Sequence, residues 1–293
     1  MVTIVADVPR EFLIVVMVST KASQVWYVYG VVPASLSSAT APAGLDDAEV
    51  RLERSDGGGP AALVSVLDGE RYAPGALETT SGEVEWVSPR AVAHDRVLTW
   101  ASDKGAVVPL PMFSLFSGAD AVRTMLRDRS PELATTLERL ARGREYALRV
   151  YRVDSELLGA MTELSPRLAG IAASAAAASP GQRYLLERKL DTEKKAELRA
   201  VTQGLVDEIV SELVPRALSH VRSPIPRLAD ADGAARGVLV LNAAFFVAPD
   251  GLEAFQGTLT ALVERHGANG LRFDFTGPWP PYHFATEADR GAR

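Results

Sequence analysis

The sequence predicts an α+β protein of two domains. Three observations carry this. Runs rich in β-branched and aromatic residues at 26–32, 61–67 and 145–153 read as strands, and amphipathic stretches between and after them read as helices. At 293 residues the chain is also longer than one hydrophobic core comfortably fills.

The opening run WYVYGVV at 26–32 has no polar alternation, so it is expected to be a strand buried on both faces, with Pro33 turning the chain after it. A Ser/Ala/Pro/Gly-rich loop follows at 34–46. Val50 and Leu52 then alternate with Arg51 and Glu53 as in a half-buried strand, and SDGGGP at 55–60 is a turn into the strand at 61–67. Ser88 followed by Pro89 has the chemistry of an N-cap and first helical residue. It starts a helix with Val92, Val97, Leu98 and Trp100 on its apolar side, ending at Gly105. Pro109 and Pro111 keep 106–116 extended. Helical periodicity returns over 119–142, divided by Pro131, and the strand at 145–153 closes the set. Such alternation, with both helices on one side of a largely antiparallel sheet, suits a ferredoxin-like α+β domain over 23–153.

A second domain is expected over 154–276. It begins with helix at 154–162 and an Ala-rich piece at 172–178. A break at Pro180-Gly181 precedes a long helix from 183 to 214, whose apolar residues Leu186, Leu190, Leu198, Val201, Leu205, Ile209 and Leu213 recur mostly at three or four. The charged stretch ERKLDTEKKAELR interrupts that stripe and reads as a solvated face. Its pairs Lys189 with Glu193 and Asp191 with Lys195 stand at i,i+4, worth about 0.2–0.5 kcal/mol each. Pro224 and Pro226 end the helix. GVLVLNAAFFVAP at 237–249 reads as a central strand, 250–266 as a helix, and LRFDFT at 271–276 as the closing strand.

Composition narrows the function. Hydrophobic residues are 47% and charged residues 23%, as in globular proteins. The net charge of −6 and the scatter of the 31 basic residues argue against nucleic acid as a partner. Cysteine is absent, which removes disulfides, thiolate metal sites and a cysteine nucleophile together. Residues 1–22 read as a flexible extension before the first domain. Their seven-residue apolar run at 12–18 is too short to span a bilayer and follows acidic residues, so neither membrane insertion nor a signal peptide is expected.

The run Gly277-Pro278-Trp279-Pro280-Pro281-Tyr282 has three prolines in four positions, which excludes helix and central strand and leaves a stiff extended arm, with a flexible C-terminus to residue 293. Two aromatic rings on a preordered arm lose little entropy on docking, so these six residues are candidates for a partner contact or for a clamp on the protein itself. Here the sequence resembles the GvpL/GvpF family of gas vesicle proteins, whose C-terminal signature is a TGPWPPY-type run soon after a strand. Further similarity lies in WYVYGVV, in His94-Asp95-Arg96-Val97-Leu98, and in VVPLPMFSLFSG at 107–118. GREYALRVY at 143–151 and PGQRYLLERK at 180–189 extend it, so that it spans about 26–284. MFSLF departs from the pattern, since the family more often has a basic residue and a glycine there, and any role of those residues does not transfer.

The resemblance implies a two-domain α+β accessory protein, cytoplasmic and at the gas vesicle. It would act in gas vesicle organisation or assembly by binding the shell protein GvpA as a chaperone-like or minor structural component, alongside other gas vesicle accessory proteins. No catalytic, cofactor or metal residues are expected. The four histidines, His94, His220, His266 and His283, include no pair at i,i+3 or i,i+4, and there is no HExxH, GxSxG or phosphate-loop ending. The alternative is a small-molecule or haem-binding enzyme on a ferredoxin-like domain, using His94.

Overall fold

Strand β1 (Gln24–Val32) is buried along nearly its whole length, as its unbroken apolar run requires. In the computed structural model, which describes residues 23–55, 57–73, 76–77, 82–225 and 237–285, it forms the middle of the first sheet. The extension expected over 1–22 and the end of the C-terminal segment lie outside the described residues. Strands β2 (Arg51–Arg54) and β3 (Ala61–Asp68) pair antiparallel, with Arg51 opposite Val64 and Arg54 opposite Ala61. The order is β2-β3-β1-β4, and both β4 (Val108–Pro109) and β5 (Leu115–Phe116) pair antiparallel with β1. The two short strands are what the prolines at 109 and 111 leave of the extended stretch.

Helix α1 (Val84–Lys104) covers one face of this sheet through Ala93, Val97, Leu98 and Ala101, packed with Val25, Tyr27, Tyr29 and Leu63. It begins four residues before the expected Ser88 N-cap and carries Pro89 inside. The extra turn is held by packing, because Trp86 stacks on Phe113 at 5.5 Å and accepts a bond from Arg90 on its carbonyl. Helices α2 (Ala119–Asp128) and α3 (Ser130–Leu140) divide at Pro131 as expected. Arg123 of α2 holds Glu53 of β2 at 2.6 Å.

The second sheet has the order β7-β8-β6-β9, formed by β6 (Arg144–Arg152), β7 (Ser219–Arg222), β8 (Val238–Val247) and β9 (Leu271–Trp279). Between β6 and β7 come α4 (Asp154–Leu164), α5 (Pro166–Ala176) and α6 (Pro180–Leu213), and α7 (Leu252–Gly267) joins β8 to β9. Tyr146, Leu148 and Val150 of β6 share a core with Ile209, Phe245, Phe255 and Leu271.

The α+β class therefore holds, but the division between domains differs from the one expected. β6 sits in the second sheet, and the chain separates into one unit up to Arg144, with the segment that begins at Trp279, and another from Glu145 to Pro278. The β-α-β-β-α-β succession and strand order of a ferredoxin-like fold accordingly belong to the second unit. Alternation along 145–153 specifies a strand without naming its sheet. Strand β7 was not expected from the sequence at all. Its four residues SHVR carry one large apolar side chain, and it is set by pairing, His220 opposite Phe245.

Candidate functional site

The C-terminal segment is built in two stages. Residues Gly277, Pro278 and Trp279 continue β9 as an edge strand, three residues past the expected end, and an edge tolerates a proline that gives no ladder donor. Gly277 has φ 128°, in the region that favours glycine. Beyond Trp279 the chain leaves the strand. Pro280 and Pro281 are buried, Tyr282 N–H donates to the Pro280 carbonyl at 2.7 Å, and Phe284 N–H donates to that of Pro281 at 3.2 Å.

Phe284 is wholly buried, whereas Trp279 and Tyr282 remain 39% and 40% exposed. The Tyr282 hydroxyl donates to Oδ1 of Asp95 on α1 at 2.8 Å. Sequence reasoning singled out the proline run and passed over Phe284. The closing aromatic after PPYH was the available signal.

Asp95 belongs to the His94–Leu98 run, and α1 distributes those residues by face. Val97 and Leu98 enter the core, and Arg96 Nη2 donates to the Ala43 carbonyl at 3.1 Å. His94 points inward and is 6% exposed. Its Nδ1 lies 2.7 Å from the Tyr27 hydroxyl, and a backbone hydrogen bond to Leu110 occupies the ring's donor side, so Nδ1 accepts the Tyr27 proton. Tyr27 packs edge-on and Tyr29 nearly parallel, with ring centroids 5.7 and 5.8 Å from the imidazole. Burial disfavours the imidazolium and lowers the His94 pKa to about 4. The alternative in which His94 offers a haem or substrate ligand does not fit this geometry: both ring nitrogens are engaged inside the aromatic core, and neither is presented to a ligand.

A second network fixes the connection between β1 and β2. Asp46 adopts φ 50°, unusual for a residue with a side chain, and is held there from several directions. Arg90 Nη2 donates to its Oδ1 at 2.6 Å, the Tyr72 hydroxyl donates to Oδ2 at 2.7 Å, and Arg71 stands 3.2 Å away. The Arg90 guanidinium also lies 4.0 Å over the Trp86 ring. Burial, with Asp46 accepting the phenolic proton, holds Tyr72 protonated far above its usual range. Nearby, the Tyr29 hydroxyl donates to Ser65 Oγ and accepts from the Leu45 N–H, each at 2.9 Å.

The other histidines stay apart. His220 stacks on Phe245, and His266 Nε2 is 3.2 Å from Glu208. Among the described residues no group of three or more His, Asp or Glu is placed to hold a metal ion, and no helix is long and apolar enough to cross a membrane.

The fold and these sites define a two-unit α+β protein whose distinctive side chains are committed to internal packing, with two aromatic rings partly exposed on a proline-braced tail. Comparison with known proteins gives the family. The model of the gas vesicle synthesis protein GvpL/GvpF family matches residues 25–286. Gas vesicle protein L2 of Halobacterium salinarum is 28% identical over 269 residues, covering 89% of this chain and 91% of that protein. Gas vesicle protein L of a Streptomyces species is 28% identical over 207 residues, 71% of this chain and 73% of that one.

Among solved structures, gas vesicle protein GvpF from Anabaena sp. PCC7120 has a similar fold, with TM-score 0.64 at 20% identity over 90% of this chain and 97% of that one. GvpF from Microcystis aeruginosa gives 0.60 at 19% identity, over 89% and 99%. The chain belongs to the GvpL/GvpF family of gas vesicle proteins.

Proposed function

We propose that this chain acts in gas vesicle assembly by binding the small apolar shell protein GvpA, as a chaperone-like or minor structural component, at the gas vesicle in the cytoplasm and alongside other accessory proteins. Beyond family membership, the observation that carries this reading is the division of labour in the tail. Pro280, Pro281 and Phe284 are buried and brace the segment, while Trp279 and Tyr282 keep about two-fifths of their surface open. Aromatic rings presented on a rigid support give large contact area at low entropic cost. Enrichment of Trp and Tyr at interface cores fits the same use.

The test is a pull-down of GvpA by the full chain and by Trp279→Ala and Tyr282→Ala variants, each checked for folding by circular dichroism. Loss of capture by folded variants supports the tail as the contact. Equal capture by all three moves the interface to another surface, and no capture by the full chain refutes the shell-protein reading.

A further inference from the structure

Among the described residues the large apolar side chains most open to water are Val84, 75% exposed, Leu185, 67%, and Tyr184, 59%. Val84 sits among acidic residues, and Tyr184 and Leu185 sit among Arg183, Arg188 and Lys189, with exposed Glu187 as the one acid between them. Val84 lies between exposed Glu83 and Glu85 at the start of α1. Tyr184 and Leu185 lie one turn before Arg188 and Lys189 on α6, and residues four apart share a helix face, so the four exposed side chains make one basic, apolar patch. Arg188 Nη1 donates to the Tyr184 hydroxyl at 3.4 Å, which ties the two side chains together.

The surroundings reinforce the contrast. Residues 166–200 hold seven basic against four acidic side chains in a chain of net charge −6. Two of those acids, Glu193 and Glu197, are already taken by Arg167. The hairpin of α5 and the outer part of α6 is thus a basic region in an acidic protein.

We propose that the two patches are the halves of one contact between copies of this chain. The Tyr184–Leu185 patch of one copy seats Val84 of a second, with Arg188 and Lys189 facing Glu83 and Glu85. The complementarity is of charge and of exposed apolar surface together, and a second copy is the one partner that supplies both patches. The contact is heterologous, so each associated pair retains one unused patch of each kind and growth continues past the pair. It is small and rimmed by exposed charges, so it is weak and salt-sensitive. It does not depend on whether the chain binds GvpA.

The experiment is sedimentation of the full chain over micromolar to millimolar concentration at low and high salt, with two charge-reversed variants. One is Arg188→Glu with Lys189→Glu, the other Glu83→Lys with Glu85→Lys. Wild type is expected to gain mass with concentration and to lose that gain in high salt. Each variant alone should associate about tenfold more weakly or less. Their equimolar mixture should associate again, since the reversed patch of one then complements the reversed patch of the other. Should the reversal at the start of α1 unfold the protein, Val84→Ser tests the same patch with its charges intact and is expected to weaken association. A mass independent of concentration overturns the proposal. So does association that survives both reversals, or a mixture that stays monomeric.

Discussion

Tyr282 and Asp95 lie 187 positions apart in the chain and are joined by a 2.8 Å hydrogen bond. The bond brings together two of the sequence runs that resemble the family, HDRVL on α1 and GPWPPY at the tail. It also explains why consecutive residues of α1 serve different purposes: His94 faces the core and Asp95 holds the tail. The phenol is partly open to water, so the bond alone contributes modestly. Tyr282→Phe is expected to lower stability by about 0.5–1 kcal/mol. Phe284→Ala empties a fully buried site and should cost about 3–5 kcal/mol. Urea titration compares them, and equal losses would show that Phe284 is not the anchor.

His94 makes the stability of the first unit dependent on pH. Its pKa falls from 6.5 to about 4 on folding, with Tyr27 and Tyr29 as the ionisable neighbours facing the ring. A base whose folded pKa is lowered contributes stability that is fully present above the unfolded pKa and is lost as pH falls through the window between the two. Between pH 6.5 and 4 the loss approaches about 3 kcal/mol. His94→Gln keeps polar atoms but cannot titrate there, so its stability should fall less steeply over that window. Parallel curves for wild type and variant would exclude His94 as the source.

The order of elements was largely legible because each rests on local chemistry. Pro131 divides α2 from α3, the β-branched run at 61–67 is a strand, and the apolar recurrence from Leu186 to Leu213 is a helix. What the sequence did not state was partnership. Tyr146, Leu148 and Val150 show the same alternation whichever sheet they join, and only packing with Phe245 and Phe255 assigns them to the second. His94 left a ligand-binding alternative open for a related reason. A histidine on an amphipathic helix looks available, and its commitment to Tyr27 and Leu110 comes from residues distant in the chain.

Gly44 tests the network behind Asp46. A Cβ there would stand 2.0 Å from the Tyr29 hydroxyl and 2.8 Å from Ser65 Oγ. The buried tyrosine cannot retreat without giving up its bonds to Leu45 and Ser65. Gly44→Ala is therefore expected to cost about 2–4 kcal/mol, overpacking and lost hydrogen bonds combined. Restoration of much of that loss by Tyr29→Phe in the Gly44→Ala background would identify the hydroxyl as the clash. No restoration would place the strain in the backbone instead.

Helix α6 should not be uniformly stable. Its 34 residues extend roughly 51 Å, yet its buried residues, Thr202, Leu205, Val206, Ile209, Val210 and Leu213, all lie in the last third. The outer part is packed by α5, with Leu168 and Ala175 buried and Arg167 reaching across to Glu193 and Glu197. An exposed helix gains little from propensity alone, so local opening of 183–195 requires far less energy than global unfolding. Native-state hydrogen exchange is expected to show amides of 183–195 exchanging at least about 100-fold faster than those of 205–213. Arg167→Ala should speed the outer amides and leave the inner ones unchanged. Uniform protection along all of α6 would mean that the hairpin opens only with the core.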